Sequence, residues 1–343
     1  MVTLTTHHRI VVSKRGGPDV LRFVEEPLPV PQPGEARVRV EAAGVSAYDV
    51  MLRGHRFPGF TKVPYTPGCD VVGVVDDIGG EADGLEPGQR VAAMTGLGNG
   101  GYAEFICLPV ETLVLVPDGV DPAEAVCLPA NYLTAHLAMH GTAKVESGEQ
   151  ILVHGAAGGV GSALLELGNL AGLEMYGTAS KHNHPLVEKL GATPIDYQNE
   201  DFVERIRAFT GDGVDAVFDP IGGWRQLWRS YRALRRGGRL VWFGVAATKR
   251  RGIGVIPASL AMQGLVSIIP DRRHAPMMAN AGTMAEGENA WYRRTLDELL
   301  DHLAAGKIHP IVAERIPLAE ASRAHELIEQ GGYAGKLVLT TGT

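Results

Sequence analysis

The segment Gly155-Ala156-Ala157-Gly158-Gly159-Val160-Gly161 has the residue types and spacing of an anion cradle. An apolar run, Gln150–His154, leads into it, and a helical pattern over residues 160–170 leads out. Glycines at such a point permit a tight turn and let the backbone come close to a pyrophosphate. The helix that follows presents unpaired N–H groups and a partial positive charge to the same anion. In this strand–turn–helix setting the motif reads as a dinucleotide site, with Ala157, Gly158, Gly159, Val160 and Gly161 as its contacts. The bland alternative is an ordinary turn from strand to helix.

The next strand bears on which dinucleotide. An NAD site carries Asp or Glu roughly 20 residues further on, bonded to the ribose hydroxyls. Here the second strand, Glu174–Ala179, ends at Ser180-Lys181 with no acid at its tip. A carboxylate would repel a 2′-phosphate, whereas Ser180 and Lys181 would hold one. The expected cofactor is therefore NADPH; the alternative is that Lys181 is a solvated surface lysine. Other groupings carry less. His136 and His140 have i, i+4 metal-ligand spacing but no third ligand. Cys69, Cys107 and Cys127 are an odd set without close spacing, so neither a disulfide framework nor a zinc cluster is expected.

Elements must position these residues, and their texture changes along the chain. Short Val-rich runs at residues 9–12, 21–24, 36–43 and 71–78, flanked by Gly or Pro, predict a β-rich first part. Arg37-Val38-Arg39-Val40-Glu41 alternates strictly, as a half-buried strand does. Near residue 120, Asp121-Pro122-Ala123-Glu124 marks a helix start, and Pro129 opens another helix through His140. Strands and helices then alternate: strands at 150–154, 174–179, 216–219 and 239–244, helices at 185–190, 201–209 and 226–234. That rhythm predicts a parallel sheet with helices on both faces. Leu265–Ile269 reads as one more strand, residues 271–289 as a loop, 291–305 and 318–330 as helices, and 337–340 as a last strand.

The whole-chain numbers set limits. With 343 residues, about two domains are expected. A net charge of −7, from 32 basic and 39 acidic residues, argues against a general nucleic-acid binder. No apolar run reaches the roughly 18 residues of a spanning helix, and the N-terminus lacks the apolar core of a secretory signal. Scarce cysteine fits a reducing, cytoplasmic setting.

Several motifs together resemble one family: Gly44-Val45-Ser46-Ala47-Tyr48-Asp49, Pro67-Gly68-Cys69-Asp70-Val71-Val72-Gly73, Gly100-Gly101-Tyr102-Ala103-Glu104, Leu133-Thr134-Ala135, the glycine turn, Gly191-Ala192 and Gly335-Lys336. Over residues 9 to 340 the chain resembles the medium-chain dehydrogenases/reductases, in their zinc-free, quinone-oxidoreductase (ζ-crystallin-like) branch. The resemblance implies an α/β protein: a GroES-like β-rich domain (residues 1–128, rejoined by 271–343) and a Rossmann doubly wound parallel-sheet domain (129–270). It implies a cleft between them and a homodimer. By the same resemblance, Asn131 and Thr134 approach the nicotinamide or its ribose, and Tyr197 packs near the adenine ribose phosphate. Phe243, Gly244 and Val245 lie at a ligand-binding strand end, and Lys336 reaches the pyrophosphate. Where zinc-dependent relatives have Cys and a His-Glu pair, this chain has Ser46 and Cys69-Asp70, and it lacks the four-cysteine lobe. No zinc is expected.

The function so implied is an NADPH-dependent reduction of a quinone or α,β-unsaturated carbonyl compound. Ser46 would be aimed at the carbonyl oxygen, and Asp49, Met51 and Tyr65 would line the same cavity. Relatives carry a Tyr where Met51 stands, so the proton donor is open. Two other readings are kept: a non-catalytic NADPH-binding protein of the crystallin or vesicle-associated kind, and a tailoring reductase or dehydrogenase of a biosynthetic pathway.

Overall fold

The alternation at residues 37–41 becomes the spine of the first of two units. The computed structural model describes residues 5–54, 62–80, 84–96, 100–246, 254–276, 278 and 289–342. Unit one is Met1–Leu133 with Asn280–Thr343, and unit two is Thr134–Ala279. In unit one, β1 (Thr6–Val12) pairs antiparallel with β2 (Leu21–Pro27). Then β3 (Glu35–Val45) buries alternate side chains, Ala36, Val38 and Val40 among them. It pairs antiparallel with β4 (Asp70–Ile78) and β6 (Phe105–Pro109); β5 (Arg90–Met94) and β7 (Val114–Leu115) extend the sheet. A helix, Ala47–Arg53, interrupts this β-rich part and was not anticipated. Its signature is plain in hindsight: Ser46 at the N-cap and Asp49 at N3 form a capping box. The expected start at Asp121 is present, its carboxylate accepting from the Ala123 N–H at 2.8 Å.

Unit two is the predicted β-α-β unit. Its strands are β8 (Gln150–His154), β9 (Glu174–Ala179), β10 (Ala192–Asp196), β11 (Val214–Asp219) and β12 (Leu234–Trp242). All pair in parallel, in the spatial order β10-β9-β8-β11-β12. This is the first-five order of a Rossmann sheet, and the reversal point falls between β8 and β11. Ile151, Leu152 and Val153 are each fully buried, as a strand covered on both faces requires. Each such side chain contributes about 1.5–3 kcal/mol of burial. β10 escaped the sequence reading because Pro194 sits in it; an edge strand tolerates proline.

One expected strand is a helix. Leu265–Ile269 falls at the end of helix Val255–Ser267. Val255, Ser259, Met262 and Val266 are all buried, a spacing that belongs to one helical face. Read alone, a five-residue apolar run could not report that period. Most of the stretch expected as a loop, 277 and 279–288, lies outside the described residues. His274 bridges in parallel to Arg239.

The chain then returns to unit one. Helix Asn289–Ala304 buries Leu296, Leu299, Leu300 and Leu303 at the expected spacing. β13 (Val312–Pro317) and β14 (Lys336–Thr340) complete the order β13-β14-β3-β4-β5-β7. Helix Ala321–Gln330 lies between them in sequence and packs Ala321, Ala324 and Ile328 into the unit-one core.

Candidate functional site

In unit two the carboxyl ends of β8 and β11 lead into two glycine-bearing turns. Gly155 takes φ +65°, a left-handed conformation that favours glycine, and starts the turn. A Cβ on Gly161 would collide with the Gly155 carbonyl, so helix Gly159–Leu170 can close on the strand only with glycine there. Gly158 is the N-cap with no side-chain cap bond, and Gly158, Gly159 and Val160 are half-buried. The first helical amides thus stay accessible and unoccupied by any capping side chain. Ala157 and Gly161 are buried behind them. That is a cradle a phosphate group fits.

At the tip of β9, Ser180 is half-buried and Lys181 exposed. The neighbouring acid, Asp196 at the end of β10, is engaged on its own turn. Asn199 Nδ2 donates to it at 2.7 Å and the Gln198 N–H at 3.0 Å, and these bonds hold its carboxyl below the usual range. Tyr197, 56% exposed, follows it. Phe243 and Gly244 are half-buried and Val245 buried beyond β12; a Cβ on Gly244 would run into Pro220. Asn131 and Thr134 are both half-buried, three apart on consecutive helical turns.

Unit one holds a buried polar cluster. Asp49 is fully buried. Its Oδ2 accepts from the Ser46 N–H at 2.9 Å, the Ser46 hydroxyl at 2.7 Å and the Tyr102 hydroxyl at 3.4 Å. Its Oδ1 accepts from the Gly68 N–H at 3.0 Å and the Cys69 thiol at 3.6 Å. This corrects the expectation for Ser46. Its hydroxyl hydrogen is committed to Asp49 and its oxygen to the Asp49 N–H, so it is not a free donor for a substrate. Asp49 ties the helix Ala47–Arg53 to the turn at Gly68.

Two further side chains join from the C-terminal helix, which sequence reasoning missed. Arg53, 1% exposed, donates to His325 Nδ1 at 3.0 Å and to Glu329 at 2.6 Å. Because a guanidinium only donates, His325 carries its hydrogen on Nε2 and gives it to Tyr102 at 3.2 Å. Burial, and then Arg53, lowers the His325 pKa to about 3, so the ring is neutral. Tyr102 sat inside a quoted motif, but nothing in sequence separation linked residue 325 to residue 49.

Met51 is buried at 7% exposure on the same helix. Tyr65 is half-buried; its hydroxyl is shielded from solvent and has no hydrogen-bond partner among the described residues. Burial, reinforced by Asp49, pushes its pKa up to about 12, so it stays a phenol. Burial raises the Tyr48 pKa above its ordinary value, and the negative charge of Asp49 acts in the same sense.

Lys336 requires a second correction. It is 3% exposed, and its ammonium lies 2.5 Å from Asp70 Oδ2, with Gly44 leaving room for the pair. Burial alone would lower the Lys336 pKa, but Asp70 and the bond to it prevail and hold it above its ordinary value. An ammonium enclosed with its own carboxylate is not on offer to a pyrophosphate.

Two family profiles match the chain, the second of them spanning parts of both units. A family profile described as "Alcohol dehydrogenase GroES-like domain" matches residues 32–118, and one described as "Zinc-binding dehydrogenase" matches 190–339. The solved structure of mycobacterial Rv1454c complexed with NADPH is 31% identical, with a TM-score of 0.85, covering 97% of this chain and 99% of that one. The chain belongs to the medium-chain dehydrogenase/reductase superfamily. Mouse quinone oxidoreductase is 28% identical over 338 residues, which cover 96% of each chain. The crystal structure of human synaptic vesicle membrane protein VAT-1 homolog-like protein is 26% identical with a TM-score of 0.84, covering 99% of each.

A profile named for zinc invites a test of the donors in this member of the superfamily. Cys69 donates its thiol hydrogen to Asp49, Asp70 is paired with Lys336, and Ser46 is in the capping box. Among the described residues no three His, Cys, Asp or Glu side chains gather as a metal site would need. These donors do not fit zinc.

Proposed function

We propose that this oxidoreductase uses NADPH, without zinc, to reduce a quinone or an α,β-unsaturated carbonyl compound. The observation that carries the reading is the uncapped glycine turn beside a strand tip that bears Ser180 and Lys181 in place of a carboxylate. The NADPH complex of Rv1454c and the name of the mouse relative support it. When bound, NADPH supplies the hydride.

Around it, Ala157, Gly158, Gly159, Val160 and Gly161 hold the pyrophosphate through backbone amides. Ser180 and Lys181 hold the 2′-phosphate, with Tyr197 beside the adenosine. Asn131, Thr134, Phe243, Gly244 and Val245 orient the reactive end. On the substrate side, Tyr65 is the hydrogen-bond donor to the oxygen on which negative charge develops, and Met51 contributes apolar surface. Asp49 and Ser46 position the backbone around Gly68 and touch neither substrate nor cofactor. Without a Lewis acid, a conjugated acceptor is favoured, because delocalisation carries part of the charge that a metal would otherwise stabilise.

The test is NADPH oxidation with quinones, enones, enoyl thioesters and aldehydes. Turnover of the first three classes over aldehydes supports the proposal; turnover of aldehydes alone overturns it. A non-catalytic binder is the second reading, kept because the chain is also similar to human synaptic vesicle membrane protein VAT-1 homolog-like protein, whose name states no reaction. Tight NADPH binding with no turnover of any acceptor would select it.

A further inference from the structure

We propose that His154 is a positioning residue that sets the glycine turn for the cofactor by linking it to the turn after β11. The inference rests on the reading of unit two as the NADPH site. His154 ends β8 and is 1% exposed. Its Nδ1 lies 3.0 Å from Thr178 Oγ1, and its Nε2 3.1 Å from Ser230 Oγ. Beyond Ser230 lies Asp219, fully buried at the end of β11.

The direction of every bond in this chain is fixed by its acidic end. A carboxylate only accepts, so the Ser230 hydroxyl donates to Asp219 Oδ2 at 2.8 Å. Ser230 must then accept from His154, which puts the ring hydrogen on Nε2. Nδ1 is left bare and accepts from the Thr178 hydroxyl. Thr178 Oγ1, its hydrogen committed, accepts the Gly155 N–H at 3.3 Å. Four bonds thus run one way, from the first amide of the glycine turn to a buried carboxylate, and each polarises the next. Burial holds the imidazole below its ordinary pKa against the pull of Asp219, which keeps the ring neutral and the tautomer single.

The two ends of the relay are the two turns that matter. Gly155 is the residue on which Gly161 closes. Asp219 Oδ1 accepts from the N–H groups of Ile221 at 2.7 Å and Gly222 at 3.0 Å, and Oδ2 accepts from Gln226 at 3.1 Å. These turns leave β8 and β11, the adjacent strands where the sheet order reverses and where open α/β sheets bind ligands. A histidine that only filled core volume, edge-on to Phe202 at 4.6 Å, would need neither nitrogen.

The test uses the full chain and three variants: His154→Phe, which keeps the ring and removes both nitrogens; Thr178→Val, which keeps the shape and removes the hydroxyl; and Ile206→Ala, a core control in the same unit. NADPH affinity is measured by fluorescence titration, and Gly155 amide exchange by NMR on the cofactor-free proteins. The first two variants are expected to weaken NADPH binding about tenfold, the size of one lost buried hydrogen bond, and to expose the Gly155 amide to faster exchange. The control is expected to lose stability with wild-type affinity. Wild-type affinity and exchange in both relay variants would overturn the proposal, as would an equal loss in the control. If His154→Phe does not fold, Thr178→Val decides. If the wild-type protein does not bind NADPH, the function reading fails, and the exchange measurement still decides whether the relay sets the turn.

Discussion

Lys181 and Tyr65 show how far a single residue type carries meaning. Lys181 is exposed at the end of β9, and Asp196 nearby is taken up by its own turn. Replacing Lys181 with Ala removes a charge-assisted bond to a 2′-phosphate. Such a bond contributes about 1.5–3 kcal/mol, so NADPH affinity is expected to fall about tenfold or more while NADH affinity stays nearly constant. Parallel titration of both cofactors checks this; an equal loss for both would remove Lys181 from the phosphate site. Tyr65 differs in that its identity alone said little. A tyrosine in a β-rich domain is usually packing, but a shielded hydroxyl without a partner among the described residues is unsatisfied until something accepts from it. Tyr65→Phe is expected to lower kcat about a hundredfold, the low end for a positioned acid, with the NADPH Kd unchanged. An unaltered kcat would hand the proton to water.

Whole elements depend on charges that pair across the fold. The Lys336–Asp70 pair joins β14 to β4 through the space above Gly44. Lys336→Met leaves Asp70 buried and uncompensated, which costs about 3–5 kcal/mol, whereas removing both charges together is nearly neutral. Urea unfolding of Lys336→Met and of Lys336→Met with Asp70→Leu is expected to show a large loss in the first and recovery in the second. Equal losses would mean that shape, not charge, holds β14. The same scale explains where element prediction failed. The alternation of β3 and the leucine spacing of Asn289–Ala304 were legible because a long period repeats in them. The run 265–269 was too short to distinguish two periods, and β13 and β10 are edge strands whose composition is set by what they border.

For the molecule as a whole, buried histidines tie stability to pH. The His325 pKa is 6.5 when unfolded and about 3 when folded, so the unfolded chain binds more protons between those values. Stability from this group is complete above 6.5 and is lost as pH falls toward 3, by about 1.4 kcal/mol per pH unit. His154 and His7, also lowered, act in the same sense. His325→Gln is expected to be less stable near neutrality yet to show a shallower decline on acidification, read from urea midpoints across that window. An unchanged slope would mean that His325 is not buried neutral. Zinc is the other whole-molecule test: elemental analysis is expected to find no stoichiometric metal, and chelation to leave activity intact. One bound zinc per chain, with activity lost on its removal, would overturn the zinc-free reading.

Local constraints were readable from residues in order. A glycine turn announces itself because φ +65° favours glycine and the closure of Gly161 on Gly155 leaves no room for a Cβ, and both residues lie within one short stretch. The same holds for the acid-free tip at Ser180-Lys181 and for the β-rich to β-α-β change of texture. The partners of buried polar groups were not readable. Ser46 and Asp49 looked like substrate contacts until Tyr102 and His325 closed around them, and Lys336 looked like a phosphate ligand until Asp70 did. A buried donor must be satisfied, but the acceptor can come from any strand or helix the fold delivers, here 276 residues away in the case of Arg53 and Glu329. Sequence spacing holds no record of such a distance; the packed chain alone selects the partner.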